Sequence, residues 1–364
     1  MDDYPTKLLE IFASQALEIF YSKSVSEYLC NNDWEGEIEG RASKLNVLTF
    51  GALDWHTYTG ADMTADDLTE SNAQLVTDQA KYAYYTIKDY DTFRSYVKNP
   101  QGTAQKQLAS RLQQLIDIYV LGVYGDVGAG NRQGTDYTTG SVTVDVTTGA
   151  VTGSGTTFTS AMVGRSFKAT GHTSWYRVKT YTSATAIVIE DDSDDLTSAY
   201  TGGAIGSGAS YTIQAVTAVQ VTKDTIFAKM SALAVLLTNN EIPMDQRNMP
   251  VPASIATLIR QSPEYVAIGS ESGRNDVLTG KLANEYAGWN VYEAPDGRFT
   301  GDSTNGWHIV GGHKSAICFA MALTKNEVEP AIGNFGERFK SLVVYGVKIP
   351  DERRKALVEA FWKL

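Results

Sequence analysis

The stretch His308–Ser315, HIVGGHKS, is the nearest approach in this chain to a phosphate-cradling loop. Lys314 and Ser315 stand where a G-x-x-x-x-G-K-S loop has them, but His308 and His313 fill its two glycine positions. A side chain at either point blocks the approach of the backbone to a phosphate, so the match fails. Gly269–Gly273, GSESG, puts Glu271 where a nucleophile elbow needs serine. None of the histidines forms an HExxH pair, and His308 and His313, five apart, miss a shared helical face; packed or surface histidine is the better reading. The acidic run Glu190–Asp195, EDDSDD, raises the option of a calcium ion held between two strands. It lacks glycine-hinged ligand spacing, so a solvated β-turn is the preferred reading. Tyr82, Tyr84, Tyr85 and Tyr90 suggest a stacking platform for bases, with core or subunit-contact packing as the favoured account. No catalytic, cofactor-binding or metal-ligating residue is assigned.

Composition narrows the class further. A net charge of −11 over 364 residues argues against a sequence-reading nucleic-acid protein, which needs a basic face to neutralise phosphates. Apolar residues at 43% and charged residues at 20% predict a real core. There is no apolar run long enough for a transmembrane helix, and MDDYPTKLLEIF is acidic where a signal peptide is basic, so the chain is expected to be made and kept in a cytoplasm. Cys30 and Cys318 are too few for a disulfide framework or zinc set and are expected as small buried apolar groups.

The elements that must carry these residues are of two kinds. Lys7–Cys30 places Leu8, Phe12, Ala16, Ile19 and Phe20 on one helical face. A hairpin-like arm punctuated by Gly36, Gly40, Gly51 and Gly60 follows, with little core of its own. Gln74–Asp91, QLVTDQAKYAYYTIKDYD, reads as a strand running into a bend. Asn99-Pro100 starts a long helix in which Leu108, Leu112, Leu115, Tyr119 and Val123 keep a 3.6-residue period. From Asp126 to Ala218 proline vanishes, Leu196 is the only leucine, and Thr and Gly dominate short alternating runs. This is a separate β module, a small barrel or sandwich. Val151, Phe158, Val163, Phe167, Trp175, Tyr176, Val178, Ile187, Ile189 and Ile213 supply its candidate core. After Val219 the helical and mixed style returns, with Ile226, Met230, Leu233 and Leu237 on one helix face and a strand plus a last short helix at the end.

The order of these parts resembles the major capsid proteins of tailed bacteriophages. The most specific pieces are AGWNVYEAPD (Ala287–Asp296), GGHKSAICFAM (Gly311–Met321) and VVYGVKIPDERRKALV (Val343–Val358), in that order and spacing. The resemblance implies an α+β, HK97-type fold with an inserted all-β domain. It maps residues 1–33 to an N-terminal arm, 34–67 to an extended E-loop, and 68–125 to a peripheral domain with its spine helix at 100–123. The inserted domain takes 126–218, and 219–364 form the axial domain and the return to the peripheral one. It further implies a homo-oligomer of pentamers and hexamers forming an icosahedral virion shell around double-stranded DNA held without sequence-specific contacts. A separate scaffolding protein, a portal and, as a further candidate, a decoration protein would be its partners, with no membrane, cofactor or enzyme activity. Because the leading helix begins close to Met1, no cleaved propeptide is expected.

The resemblance implies that the arm is an intersubunit contact, and its composition agrees. A Gly-punctuated arm of this length cannot bury enough apolar surface alone to offset its ordering entropy. Trp34, Leu48, Phe50 and Trp55 are its apolar candidates, and Arg41 and Lys44 its cations toward a neighbouring carboxylate. An encapsulin-like compartment subunit and, from another class, a carbohydrate-binding surface protein are the competing readings.

Overall fold

A computed structural model describes residues 24–31, 44–50, 56–57, 70–88, 100–192, 198–267, 285–331, 333 and 335–364. Trp34, Arg41, Trp55, Tyr90, most of the leading helix and most of the arm lie outside the described residues, as does the GSESG stretch.

The Asn99-Pro100 signal is met by a helix over Pro100–Leu121, which stops where the Gly122 N–H turns back to the carbonyls of Ile118 and Tyr119. Its buried face is Ile116, Val120 and Leu121. The leucine stripe read from sequence is only half covered, and Leu108 is 37% exposed. The helix lies along a four-stranded sheet ordered Cys30–Asn31, Ile317–Pro330, Gly336–Lys348 and Gln79–Lys88. Cys30 pairs in parallel with Ile317, and both cysteines are buried thiols outside any disulfide, with burial pushing the Cys30 thiol up. Lys44–Phe50 runs antiparallel to Glu70–Val76, in a register from Lys44 opposite Val76 to Phe50 opposite Glu70.

A mixed sheet forms the second layer, ordered Val219–Gln220, Leu357–Lys363, Gly306–His313, Arg247–Pro252, Trp289–Ala294 and Glu285–Tyr286. The helix Ile226–Asn239 packs on it through Ile226, Met230, Leu233 and Leu237, all fully buried, which is the face expected from their spacing. Arg247 caps that helix from inside the fold, donating to the carbonyls of Ala234, Ile242 and Pro243. The expected last helix is a correction. Asp351–Ala356 forms only a 3₁₀ turn, and Leu357–Lys363 is a strand. Ala, Leu, Glu and Lys favour helix, but this segment is hydrogen-bonded on one side to Gly306–His313 and on the other to Val219–Gln220 and Arg132–Gln133. Tertiary pairing overrides a propensity difference of a few tenths of a kcal/mol per residue, about 0.7 at most for ordinary residues.

The Thr/Gly-rich segment builds an eight-stranded sheet from strands between Thr135 and Thr217. Its strand order runs Ile205–Ala209, Ser141–Val144, Ala150–Ser154, Ala186–Asp191, Tyr176–Ser183, Ser166–Ala169, Tyr211–Thr217 and Thr135–Tyr137. Val142, Val151, Phe158, Met162, Phe167, Val178, Ile187, Ile189 and Ile213 form an apolar cluster distinct from the one under the mixed sheet. Two residues expected in this cluster sit elsewhere. Val163 is 44% exposed in a turn, and Trp175 is half-buried under the Lys168 ammonium, 5.7 Å from its ring centroid.

Candidate functional site

Where the Thr/Gly-rich sheet meets the rest of the chain, the contact is ionic and buried. Glu359 lies in the middle of the apolar strand Leu357–Lys363, fully buried. Arg165, at the entrance to the strand Ser166–Ala169, donates from Nη1 to both of its carboxylate oxygens at 2.7 and 2.8 Å. Arg132 donates from Nη1 at 3.2 Å and uses Nη2 to hold the carbonyls of Gly125 and Val127. The His308 Nδ1 lies 2.8 Å from Glu359 Oε1, and the imidazole is sandwiched between Tyr124 at 4.1 Å and Phe361 at 3.9 Å. The Arg165 guanidinium caps this stack, 5.6 and 5.5 Å from the two ring centroids.

The electrostatics follow from burial against pairing. Burial opposes ionisation of Glu359, but the His308 hydrogen bond and the charges of Arg132 and Arg165 outweigh it and hold the carboxyl at about 2. Burial pushes His308 below its ordinary value against the pull of Glu359, and the two guanidiniums add to the depression. The imidazole is therefore held neutral with Nδ1–H donating to Glu359.

Two further pairs continue the seam. Arg354 joins Asp192 at 2.6 Å and the carbonyls of Asp192 and Asp126. Arg177 joins Glu190 at 3.1 Å and reaches Asp126 at 3.6 Å, while Lys179 takes the other Glu190 oxygen at 3.0 Å. For Glu190 and Asp192 this corrects the reading of EDDSDD as a solvated turn; residues 193–195 lie outside the described residues. Glu190 is 4% exposed and Asp192 is paired, because guanidiniums converge on the run from both sides of the seam. Among the described residues no group of His, Cys, Asp and Glu is placed to hold a metal ion. A second buried carboxylate, Asp117 on the long helix, accepts the backbone N–H groups of Val25 and Ser26, the Ser24 hydroxyl and the Arg298 guanidinium. That contact pins the described start of the chain to the helix.

No nucleophile and base converge with an open cleft in this arrangement; its polar groups neutralise one another inside the fold. Such a network is weak evidence for stability and better evidence for a fixed relative placement of the parts it joins. Sequence reasoning missed Glu359, Arg132 and Arg165. The one available signal was a lone carboxylate inside the run LVEAFW, where burial demands a partner. Of the six residues expected to contact a neighbouring subunit, Lys44, Leu48 and Phe50 are placed together on one arm strand, opposite Val76, Asn72 and Glu70.

No family model matches the sequence, and no curated protein matches it. Solved structures do match, over nearly the whole chain. A structure from Mycobacterium phage Che8 aligns with a TM-score of 0.60 at 15% identity, covering 98% of each chain. The capsid of the cyanophage P-SCSP1u aligns at 0.57 and 12% identity, covering 98% of this chain and 93% of that one. The mature capsid of bacteriophage PhiM1 aligns at 0.55 and 11% identity, covering 97% of this chain and 91% of that one. The chain has a phage-capsid fold. Within this capsid fold the seam around Glu359 is an internal joint, while the long helix and the four-stranded sheet leave large apolar residues such as Leu108, Tyr82, Tyr84 and Val328 exposed.

Proposed function

We propose that the chain is the shell-forming subunit of a tailed-phage head, built on the HK97 plan. The observation that carries this is the match of the whole chain, at 97–98% coverage, to subunits whose structures are capsids. On this reading the paired strands Lys44–Phe50 and Glu70–Val76 root the extended arm of residues 34–67. Pro100–Leu121 is the spine helix, and the mixed sheet belongs to the axial domain. Residues 126–218 are an inserted β domain on the outer face, where added bulk leaves the lumen clear for DNA. The subunits associate as pentamers and hexamers, assembled in a host cytoplasm with a separate scaffolding protein and a portal. A net charge of −11 suits a wall that must not pin packaged DNA. The role is structural, not catalytic. Trp34, Arg41, Lys44, Leu48, Phe50 and Trp55 are the arm residues that meet the neighbour.

Electron microscopy of the purified protein, expressed with and without a scaffolding partner, tests the proposal. Closed icosahedral shells are expected; monomers or dimers under all conditions overturn it. DNA inside native particles separates a phage head from a nanocompartment of the same fold.

A further inference from the structure

The strand Leu357–Lys363 is paired on one edge by Gly306–His313, from Leu357 opposite Gly312 to Trp362 opposite Trp307. Its other edge is taken by two short strands that both run parallel to it. Arg132 and Gln133 lie opposite Glu359 and Ala360, while Val219 and Gln220 lie opposite Trp362 and Lys363. Phe361 is the one position between the two pairings. Arg132–Gln133 and Val219–Gln220 are therefore halves of a single strand, in line and in one direction, with a gap of one residue. The chain leaves that strand after Gln133 and rejoins it at Val219. The inserted part is thus Gly134–Thr217, with Ala218 at the gap, narrower than the bounds 126–218.

The neck of the insertion is as narrow as the gap. Thr135 pairs with Thr217, so the outgoing and returning chains are neighbours as soon as they leave the strand. A Cβ on Gly134 would come within 2.6 Å of the Ala215 Cα, and Ala215 itself is held at φ +50°. Ala218 packs on Gly306, where a Cβ would lie 2.3 Å from the Ala218 Cβ. Large side chains do not fit at these crossings.

Each side of the neck has its own core. Among the described residues, the apolar cluster under the mixed sheet takes no member from Gly134–Thr217, and the second cluster takes none from outside it. Without the inserted part, Glu359 would still have Arg132 at 3.2 Å and His308 at 2.8 Å. Arg354 would keep the Asp126 carbonyl and the Asp351 carboxylate at 3.6 Å, and Gln133 would keep the Trp362 indole N–H. Among the described residues, the ion pairs lost would be Arg165–Glu359, Arg354–Asp192 and the 3.6 Å contact of Arg177 with Asp126. Glu359 and Arg354 keep other partners and Asp126 is half exposed, so no charge of the body is left buried and unpaired.

We propose that the β domain is a module set into one interrupted strand, and that the body without it is a complete folding and shell-forming unit. Joined directly, Arg132, Gln133, Ala218, Val219 and Gln220 would run along Glu359–Lys363 with each paired residue in its present register. The shell-forming part of this proposal rests on the shell reading; the folding part does not.

Hydrogen exchange on the full chain tests the folding part. Phe167→Ala, at a fully buried site of the module, should strip slow-exchanging amides from 141–217. Those of Arg247–Pro252, Gly306–His313 and Leu357–Lys363 should stay protected, and their loss along with the module's overturns the proposal. Deletion of Gly134–Thr217, joining Gln133 to Ala218, should keep a cooperative denaturant transition. Deleting Ala218 as well puts Val219 opposite Phe361, turns its side chain to the other face and should abolish that transition. Equal transitions for the two deletions overturn the proposed register, as does a flexible Gly/Ser linker that folds where the direct join does not. If neither the join nor the linker gives a cooperative transition, the body is not complete and the proposal fails. Where the wild type closes shells, the folded deletion should close them at the same protein concentration; a folded deletion that forms none overturns the shell-forming part. A wild-type chain that forms no shells removes the shell reading, and the proposal is then judged on exchange and unfolding alone.

Discussion

In the Thr/Gly-rich sheet Val151, Phe167 and Ile213 are at most 1% exposed, whereas in the four-stranded sheet Tyr82, Val328 and Phe335 are 81%, 59% and 89% exposed. The first region buries a compact apolar cluster of its own and meets the body of the protein through buried ion pairs. The second leaves large apolar groups outside, beside a row of cations. Isolated exposed apolar residues such as Phe335 are ordinary, but Tyr82 and Val328 line one groove beside the long helix, and a contiguous apolar set marks a surface suited to a partner. One region is complete within the chain; on the proposed shell reading, the other is completed by a neighbour.

The strongest way to break this contrast is to remove what a neighbour would receive. Deleting Gly40–Thr57 from the arm should leave a soluble subunit that forms no shells, scored by sedimentation and electron microscopy. Normal shells from the deletion would show that the arm is not the intersubunit element.

The joint comes next. Glu359→Ala leaves Arg132 and Arg165 buried without their carboxylate, and loss of one partner of a buried network costs about 3–5 kcal/mol. Denaturant unfolding of the full chain should show that loss, while the isolated segment 126–218, which lacks Glu359, keeps its stability. That segment is expected to melt cooperatively by itself. Phe167→Ala, at a fully buried site, should cost it about 3–5 kcal/mol and unfold so small a core. A segment with no cooperative melt even before mutation would end the claim that this sheet is self-sufficient.

Acid should act on the joint with a fixed sign. The Glu359 carboxyl is held at about 2, below the ordinary 4.5, so its stabilising contribution is complete above 4.5 and lost as pH falls toward 2. Burial depresses His308 below 6.5, so below that pH the unfolded chain takes up a proton that the folded chain resists, and stability falls again. Stability should be flat above about pH 7 and decline on acidification by at most about 1.4 kcal/mol per pH unit for each group. Replacing His308 with Asn should flatten the part of the curve just below pH 6.5. An unchanged curve would mean that the imidazole is not the titrating group.

The smallest effect belongs to the arm cations. Arg41→Ala with Lys44→Ala should change stability by less than about 1 kcal/mol but slow assembly and reduce its salt dependence. An unchanged rate across salt would leave both as ordinary surface charges.

Some of this was readable from one dimension. Ile226, Met230, Leu233 and Leu237 repeat at a helical period, and all four are buried on one face of a helix. The loss of proline and leucine between Asp126 and Ala218 announces a region of strands, because Thr, Val and Ile on a two-residue alternation suit a pleated surface and little else. These features are local, set by side-chain spacing and backbone preference within a few turns or one strand. The leucine stripe of the long helix shows where local reading stops. Its period predicts a helix, correctly, but cannot say whether the face meets a core or an open groove.

Pairings between distant segments were beyond such reading. Leu357–Lys363 carries helix-forming residues and became a strand because partners from three other parts of the chain were waiting on both its edges. Glu359 and Arg165 are 194 positions apart, and no periodicity couples residues at that separation. The sequence by itself determined the kinds of element and the change of style at Asp126. Only the tertiary structure decided which charges are buried together and which apolar faces stay open, because desolvation and pairing depend on where the chain returns in space.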